Sequence, residues 1–194
     1  EPEFIVMKWE DGQPVKAIDD DPRSGAGIRP RRQAFGYDVE YSIDSMGFLG
    51  EMIDIVEKLG WDMHDVVCEG AYSQFELDFH YTDVLQMADR FVFLRVILKE
   101  IAKRHGMFVT FMPKPTTGDW RSGAHLNTSM RPINEPDKNL FEGSNGSWAD
   151  PVYAAVGGLL RHGGALTALA CPTVNSYNGL VPRVGGFEGG TVTW

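Results

Sequence analysis

The chain has 194 residues, a formal net charge of -9 and 43% hydrophobic residues, which predicts one folded domain with a sizeable core rather than a disordered chain. The acidic balance disfavours a nucleic-acid surface, and no stretch is apolar for long enough to cross a membrane, so we expect a cytoplasmic protein with no nucleic-acid or membrane partner. Cys68 and Cys171 lie far apart and outside any zinc-ligand spacing, which favours buried thiols.

The first predicted elements are a strand, a loop and a helix. Phe4–Trp9 is rich in β-formers and ends at the turn signal Glu10-Asp11-Gly12, and the polar stretch that continues to about Gln33 is predicted to be a surface loop. From Ile43 to Leu59, apolar residues recur at steps of three and four, and Gly60 supplies a C-terminal stop. This pattern predicts an amphipathic helix.

A strand and a second helix follow. Residues 75–81 alternate strictly between apolar and polar side chains, which predicts a half-buried strand whose polar face carries Glu76, Asp78 and His80. Thr82 or Asp83 can cap the next helix, whose end is indicated by Lys103-Arg104-His105-Gly106 because cations and a glycine are typical of helix C-termini.

The remaining predicted elements are a strand at Met107–Met112, a Pro/Gly-rich loop at Pro113–Gly123, a strand at Ala124–Met130, a helix to about Ala170 with Asp150 as N-cap and Pro151 as first helical residue, and a strand at Thr191–Trp194. The whole order is strand, loop, helix, strand, helix, strand, strand, helix, loop, strand. It favours an α+β fold with antiparallel strands over a regular βαβ array. Both ends read as cut.

Carboxylates and one histidine fall on strand-like segments. Glu1 and Glu3, two residues apart, share a sheet face, Glu69 and Glu76 flank a tight link, and His125 lies farther along the chain. Hard divalent cations such as Mg²⁺ or Mn²⁺ take oxygen ligands with an occasional imidazole, so this set could hold one or two of them. The alternative is a solvated strand face, on which glutamates are common.

Glycine-rich segments leave two readings open. The loop from Pro113 to Ser122-Gly123-Ala124-His125 could let backbone amides approach an anion, or it could be an ordinary connection. No GxxxxGK[ST], GxGxxG or HExxH pattern occurs, and Gly185–Gly190 fits a mobile loop better than a phosphate cradle. These segments alone therefore assign no nucleotide site.

The motifs together resemble those of the glutamine synthetase family. Met112-Pro113-Lys114-Pro115, then Ser122-Gly123-Ala124-His125 ahead of Asn127 and Ser129, is similar to that family's ATP-binding motif. The resemblance extends to Glu1-Pro2-Glu3-Phe4, Glu69–Glu76 with Gln74, Ile101–Gly106 and Pro172–Tyr177. It implies an α+β, glutamine-synthetase-type catalytic domain, with a largely antiparallel sheet that carries the metal site and helices packed on it. Residues 1–194 would then be a single catalytic-domain fragment, truncated at both ends.

The resemblance also implies residue roles. Glu3, Glu69 and Glu76 resemble the ligands of the metal on the acid-substrate and ammonia side, while Glu1 and His125 resemble those of the metal on the nucleotide phosphates. The expected catalytic residues are Glu3, Glu69, Glu76 and His125. The expected nucleotide contacts are Tyr81, Asn127 and Ser129, and the expected acid-substrate contacts are Trp120, Arg121 and Gly123. The implied cofactors are two or more Mg²⁺ or Mn²⁺ ions, with ATP as co-substrate.

Three positions depart from the family pattern. Trp120-Arg121 stands where the family usually has Asn-Gly, and Asn127 stands in place of a histidine. Gly179 replaces the arginine that is expected to clamp the carboxylate of the substrate glutamate, a role that Arg121 or Arg183 could take over. The divergence resembles that of γ-glutamyl ligases that use alkyl or aromatic amines.

The implied activity is ATP-dependent formation of a γ-glutamyl amide from glutamate and ammonia or an amine, through a γ-glutamyl phosphate. The expected assembly is a homo-oligomeric ring with active sites between subunits. Two alternatives stay open: a nucleotide- and metal-binding or assembly subunit without ligase activity, suggested by Gly179 and Trp120, and an isomerase acting on a nitrogen-bearing aromatic.

Overall fold

The structure, a computed structural model, describes residues 1–17, 36–37, 46–71, 73–116 and 120–180. In these ranges the strands are β1 (Glu3–Glu10), β2 (Gln13–Lys16), β3 (Met63–Cys68), β4 (Gln74–Phe79) and β5 (Phe108–Thr110). The helices are α1 (Met46–Lys58), α2 (Val84–Arg104), α3 (Asp150–Arg161), α4 (Gly163–Ala170) and α5 (Val174–Leu180). No helix among them is both long and apolar enough to span a membrane.

Strand β1 organises the sheet. It pairs with β2, β4 and β5, and β4 pairs in turn with β3; every one of these pairings is antiparallel. The register between β1 and β4 places Glu3 opposite Glu76 and Phe4 opposite Phe75. Helices and an antiparallel sheet in one domain confirm the predicted α+β class.

The core lies between one face of the sheet and the helices α1 and α2. Phe4, Phe75 and Leu77 are buried on that face, and the Phe4 and Phe75 rings lie 5.9 Å apart between centroids. They pack with Met52 of α1 and Leu98 of α2 in one hydrophobic cluster. Each such side chain contributes roughly 1.5–3 kcal/mol on burial. Because strand side chains alternate, Glu3 and Glu76 must emerge on the opposite face.

The predicted start of one helix and the predicted ends of two helices are confirmed. The carboxylate of Asp83 accepts hydrogen bonds from the backbone N–H groups of Leu85 and Gln86, so Asp83 rather than Thr82 caps α2. Gly60 after α1 and Gly106 after α2 have φ values of 65° and 70°, the left-handed conformation in which glycine ends a helix at low cost.

The prediction of a loop directly after β1 was wrong for its first residues. Asp11 and Gly12, with φ values of 50° and 75°, form a tight turn that returns the chain into β2, where Glu10 lies opposite Gln13. Two consecutive positive φ values suit the right-handed twist of a hairpin. The polar composition of Gln13–Lys16 hid this edge strand, whose residues are exposed or half-buried.

Three more expectations need correction. Residues 124–130 are not a strand, because Ala124 makes only an isolated bridge to Pro2 and the segment is exposed. The long helix divides at His162, immediately before Gly163-Gly164, where helix propensity is low. The cap of α3 is Ala149, with Asp150 as its first helical residue. Strand β3 and helix α5 were not predicted.

Several predicted features lie outside the described residues. They are most of the polar loop (residues 18–33), the first residues of the predicted first helix (43–45), Arg183, the segment Gly185–Gly190 and the terminal strand Thr191–Trp194.

Candidate metal and substrate site

The site begins with two glutamates that face each other across the sheet. Glu3 on β1 lies directly opposite Glu76 on β4, and Glu69, at the end of β3, shares a hydrogen bond with the Glu76 carboxyl group. Like charges directly opposite on a sheet destabilise it. Three carboxyl groups gathered in this way therefore need protons or cations between them.

A second group joins Glu76 to His125 and the start of the chain. His125 Nδ1 lies 3.4 Å from Glu76 Oε1 and 3.5 Å from Glu1 Oε2. One ligand atom from each of these three side chains lies within 4.8 Å of the others. The arrangement depends on backbone pairing, since His125 N–H donates to the Glu1 carbonyl at 3.0 Å beside the bridge between Pro2 and Ala124.

The protonation of these carboxyl groups reflects their crowding. Burial, the hydrogen bond with Glu69 and the charge of Glu3 raise the pKa of Glu76 to about 7. Burial also raises the pKa of Glu3, against the backbone hydrogen bond at Gly123, which lowers it. A divalent cation would relieve the same repulsion, and carboxylate oxygens with one imidazole are ligands that Mg²⁺ and Mn²⁺ accept. The residues present therefore fit such ions.

Gln74 connects the carboxylates to the loop that carries His125, a role that residue patterns did not assign. Its buried side-chain Nε2 lies 2.8 Å from Glu3 Oε2 and 2.7 Å from the Arg121 carbonyl, and its Oε1 accepts from the Ala71 N–H. The signal was available in the sequence, because Gln74 precedes Glu76 by two residues and so shares its face of β4.

The three expected substrate residues lie around the same loop. The indole of Trp120 lies on Gly70, where an added Cβ would come within 2.7 Å of the ring. Arg121 donates from Nη1 to the Gly179 carbonyl at 2.7 Å. Gly123 accepts a hydrogen bond from the Glu3 N–H, and a Cβ there would lie 3.2 Å from Glu3 Oε1. Two departures from the family pattern, Arg121 and Gly179, are thus in contact.

Backbone N–H groups of the loop from Pro113 to His125, which could have approached an anion, donate to other groups of the protein. Lys114 N–H donates to Asn175 Oδ1 at 2.8 Å, and Asn175 Nδ2 donates back to the Lys114 carbonyl at 2.7 Å. The N–H groups of Ser122 and His125 also donate to protein carbonyls. The Lys114 N–H fastens the loop to α5, the Ser122 N–H closes the loop onto its own residue Pro113, and the His125 N–H joins it to Glu1 just before β1. These three amides therefore cannot at the same time hold an anion.

The expected nucleotide residues separate into two groups. Asn127 Nδ2 donates to Glu1 Oε1, which joins it to the His125 cluster. Tyr81, 82% exposed beyond the end of β4, and Ser129, also exposed, make no hydrogen bond to the carboxylates within the described part of the chain. His80 likewise lies apart, with its ring 5.0 Å from that of His64.

Two further residues belong to the acidic face. Asp78 is two residues beyond Glu76, burial and the Glu1 charge raise its pKa, and its buried Oδ1 has no hydrogen-bond partner among the described residues. Tyr37 donates its backbone N–H to the Cys68 carbonyl, and the Glu69 charge raises the pKa of its phenol. Alternation could have indicated Asp78, whereas no local pattern pointed to Tyr37.

Comparison with known proteins places this geometry in a family. The profile of the glutamine synthetase catalytic domain matches residues 1–193. The chain is 32% identical over 188 residues to the glutamine synthetase of Methanocaldococcus jannaschii, covering 97% of this chain and 38% of that protein. It is also 32% identical over 185 residues to the glutamate–methylamine ligase of Methyloversatilis universalis, covering 93% of this chain and 39% of that protein.

Solved structures agree with the sequence comparisons. The structure of GmaS without ligand has a TM-score of 0.74 and 30% identity, covering 92% of this chain and 39% of that one. The structure of GmaS in complex with ADP has a TM-score of 0.75 and 28% identity, covering 97% of this chain and 40% of that one. The chain therefore spans about two fifths of the proteins that it resembles. With a profile match along nearly its whole length, the chain belongs to the glutamine synthetase family and lies within that family's catalytic domain.

Proposed function

We propose that the protein containing this chain is an ATP-dependent ligase that joins the side-chain carboxylate of glutamate to ammonia or an amine through a γ-glutamyl phosphate. The observation that carries the proposal is the convergence of Glu3, Glu69, Glu76 and His125 at one end of β1 and β4. In a chain 32% identical to both a glutamine synthetase and a glutamate–methylamine ligase, such a cluster suits two-metal phosphoryl transfer.

The cluster offers two sets of ligands that share Glu76. Glu1, His125 and Glu76 would hold one divalent ion, and Glu3, Glu69 and Glu76 the other. Bound there, the ions would neutralise charge on the transferred phosphoryl group and on the acid that receives it. The Gln74 side-chain amide lies 2.8 Å from the Glu3 carboxylate and so orients one of the three ligands proposed for the second ion. Residues 1–194 then act as part of a larger catalytic domain.

The residue at position 120 favours an amine larger than ammonia. Trp120 is 38% exposed, and its ring covers Gly70, the neighbour of Glu69. An exposed indole against the segment that carries Glu69 offers an apolar and cation-attracting wall, which an alkylammonium uses better than the smaller, more strongly hydrated ammonium ion. We therefore propose an alkyl or aromatic amine as the preferred nucleophile.

The test is an amine panel on the intact protein. ADP release is measured with Mg²⁺, ATP and glutamate, and with ammonia, methylamine, longer alkylamines or aromatic amines in turn. We expect release that requires glutamate and Mg²⁺ and is faster with one organic amine than with ammonia. Tight binding of ATP and Mn²⁺ without ADP release from any combination would contradict the ligase and favour a binding or assembly subunit. ATP-independent conversion of a nitrogen-bearing aromatic would indicate the isomerase.

A further inference from the structure

Two histidines lie side by side at one end of the β3–β4 pair, outside the carboxylate cluster. His64 belongs to β3 and His80 directly follows β4, and the centroids of their rings are 5.0 Å apart. Both residues are exposed. Within the described part of the chain, neither ring makes a hydrogen bond or an ion pair, so the ring nitrogens are available there as ligands.

Strand pairing holds the two histidines beside each other. Asp65 on β3 lies opposite Asp78 on β4, and the shift in register just before Asp65 leaves His64 as an extra residue on its strand. A bulge of this kind re-aims a side chain. The His80 N–H donates to the Asp62 carbonyl at 2.9 Å, which ties the end of β4 to the start of β3. The imidazoles are therefore neighbours because the backbone places them there.

The distance between the rings suits two ligands of one transition-metal ion. Zinc–nitrogen bonds to histidine are about 2.0–2.1 Å long, so two imidazoles on one tetrahedral ion have their ring centres about 5 Å apart. The rings of His64 and His80 have this separation. Imidazole suits Zn²⁺, Cu²⁺ and Ni²⁺, whereas the carboxylate-rich set around Glu76 suits Mg²⁺ and Mn²⁺. The histidine pair therefore differs in chemical class from the carboxylate cluster.

Acidic groups beside the histidines favour a cation. Asp78 precedes His80 by two residues, and its buried Oδ1 has no hydrogen-bond partner among the residues that the structure describes. Burial and the charge of Glu1 raise the pKa of Asp78. The charge of Asp65 raises it further and that of His64 lowers it, so both side chains act on this carboxyl group. A cation on the two rings would reduce the repulsion between Asp65 and Asp78.

We propose that His64 and His80 together bind one Zn²⁺ ion, or another divalent ion that prefers nitrogen ligands, with water completing its coordination. This site is separate from the Mg²⁺ or Mn²⁺ sites proposed above and does not depend on the ligase function. An ion shared by the two imidazoles joins the start of β3 to the end of β4, the strand that carries Glu76. The neighbouring aspartates supply negative charge around the ion.

Calorimetric titration of the intact protein with Zn²⁺, in saturating Mg²⁺, tests the site. His64→Ala and His80→Ala should each weaken the binding of one Zn²⁺ ion by at least roughly 10-fold, because a single imidazole has lost the chelating partner. Mn²⁺ affinity should change less than about twofold in both variants, since His80 lies roughly 13 Å along the strand from Glu76. His125→Ala is the matched control, which should weaken Mn²⁺ binding and leave this Zn²⁺ binding unchanged.

A spectroscopic measurement on the wild type needs no substitution. Cu²⁺ added at one equivalent, again in saturating Mg²⁺, should give an electron paramagnetic resonance spectrum with hyperfine coupling to two imidazole nitrogens. His64→Ala and His80→Ala should each lose this two-nitrogen pattern. Both positions are exposed, so the variants should fold, which far-UV circular dichroism checks.

The outcomes separate this site from the carboxylate cluster. Loss of the Zn²⁺ binding in both histidine variants, with Mn²⁺ binding kept, would support the proposal. It is overturned if either variant retains the wild-type Zn²⁺ affinity, if His125→Ala also removes the Zn²⁺ binding, or if wild-type Cu²⁺ shows no coupling to two imidazole nitrogens.

Discussion

Glu76 is the carboxyl group around which the other charged side chains of the site gather. It lies on β4 with Glu3 opposite, Glu69 within hydrogen-bond reach and His125 Nδ1 at 3.4 Å, and its side chain is almost completely buried. A buried carboxyl group among other carboxyl groups resists ionisation. The charge that a metal ligand must carry is therefore unfavourable until a cation is bound.

The raised pKa of Glu76 predicts that the stability of the metal-free protein depends on pH. Because the pKa of Glu76 is about 7 in the folded state against an ordinary 4.5, the folded state binds the proton more tightly than the unfolded state. The stabilisation of the folded state by the tighter binding of this proton is complete below about pH 4.5 and is lost as the pH rises to about 7. Thermal denaturation in EDTA should show a melting temperature that falls across this interval, with a smaller fall in Glu76→Gln. Equal slopes in both proteins would contradict the prediction.

Removal of single ligands gives a second prediction. Glu3→Ala and His125→Ala should each abolish metal-dependent activity and lower Mn²⁺ affinity by more than about 100-fold, since loss of a residue that merely supports a ligand already costs 10- to 100-fold. Activity assays and calorimetry provide the measurement. His162→Ala is the control, because His162 is exposed between α3 and α4 and its side chain caps neither helix. Unchanged Mn²⁺ binding in both ligand variants would refute the assignment.

The contact between Trp120 and Gly70 predicts that substitutions at these two positions are coupled in their effect on stability. Gly70→Ala would bring a Cβ within 2.7 Å of the indole, so we expect a loss of about 1–3 kcal/mol in unfolding free energy from overpacking. In a Trp120→Ala background the same change should cost less than about 0.5 kcal/mol, since the two effects act through one contact. Urea denaturation measures both. Gly47→Ala, with open space around its Cβ, is the control, and additive costs would argue against the contact.

At the scale of elements, alternation along β4 explains why one strand serves both core and site. Phe75 and Leu77 enter the core while Gln74 and Glu76 support the acidic face. The sequence pattern predicted these faces and the helix that follows. It missed β2 and β3, because their polar residues conceal strands that are stabilised by pairing with β1 and β4. It also assigned a strand to residues 124–130, which, among the residues that the structure describes, make an isolated bridge to Pro2 through Ala124 but pair with no strand.

The cap of α2 gives a prediction at this scale. Asp83 accepts hydrogen bonds from Leu85 N–H at 3.0 Å and Gln86 N–H at 3.5 Å, so Asp83→Ala should cost about 1 kcal/mol in unfolding free energy. Asp89→Ala, an exposed aspartate within the same helix, is expected to change stability by less than about 0.5 kcal/mol. Chemical denaturation of both variants provides the comparison, and equal effects would count against the cap.

At the scale of the whole molecule, the site is assembled from segments that are distant in sequence. Glu1 meets His125, Gln74 meets Arg121, and Arg121 meets Gly179, with separations of 124, 47 and 58 residues. Folding therefore brings these carboxylates together from distant parts of the chain. Their mutual repulsion opposes folding, so a bound cation should stabilise the whole domain rather than the site alone.

A stability measurement tests this coupling. Mn²⁺ at about 100 times its dissociation constant should add about 2.7 kcal/mol to the unfolding free energy of the intact protein, and Mg²⁺ should act in the same direction. Glu76→Gln, which removes a charge shared by both ligand sets, should lose most of this gain. K⁺ at equal ionic strength controls for screening. A gain that is the same in wild type and Glu76→Gln would place the stabilising ion elsewhere.

The sequence by itself determined the α+β class, the faces of β4, the limits of α2 and the residue types suited to divalent ions, because these follow from local periodicity, capping and ligand chemistry. The family resemblance added the roles expected of Glu3, Glu69 and His125. Only the tertiary structure decided that Gln74 joins Glu3 to the Arg121 loop and that Arg121 occupies the space beside Gly179. Such contacts depend on strand register and loop packing between distant segments, which no local pattern encodes.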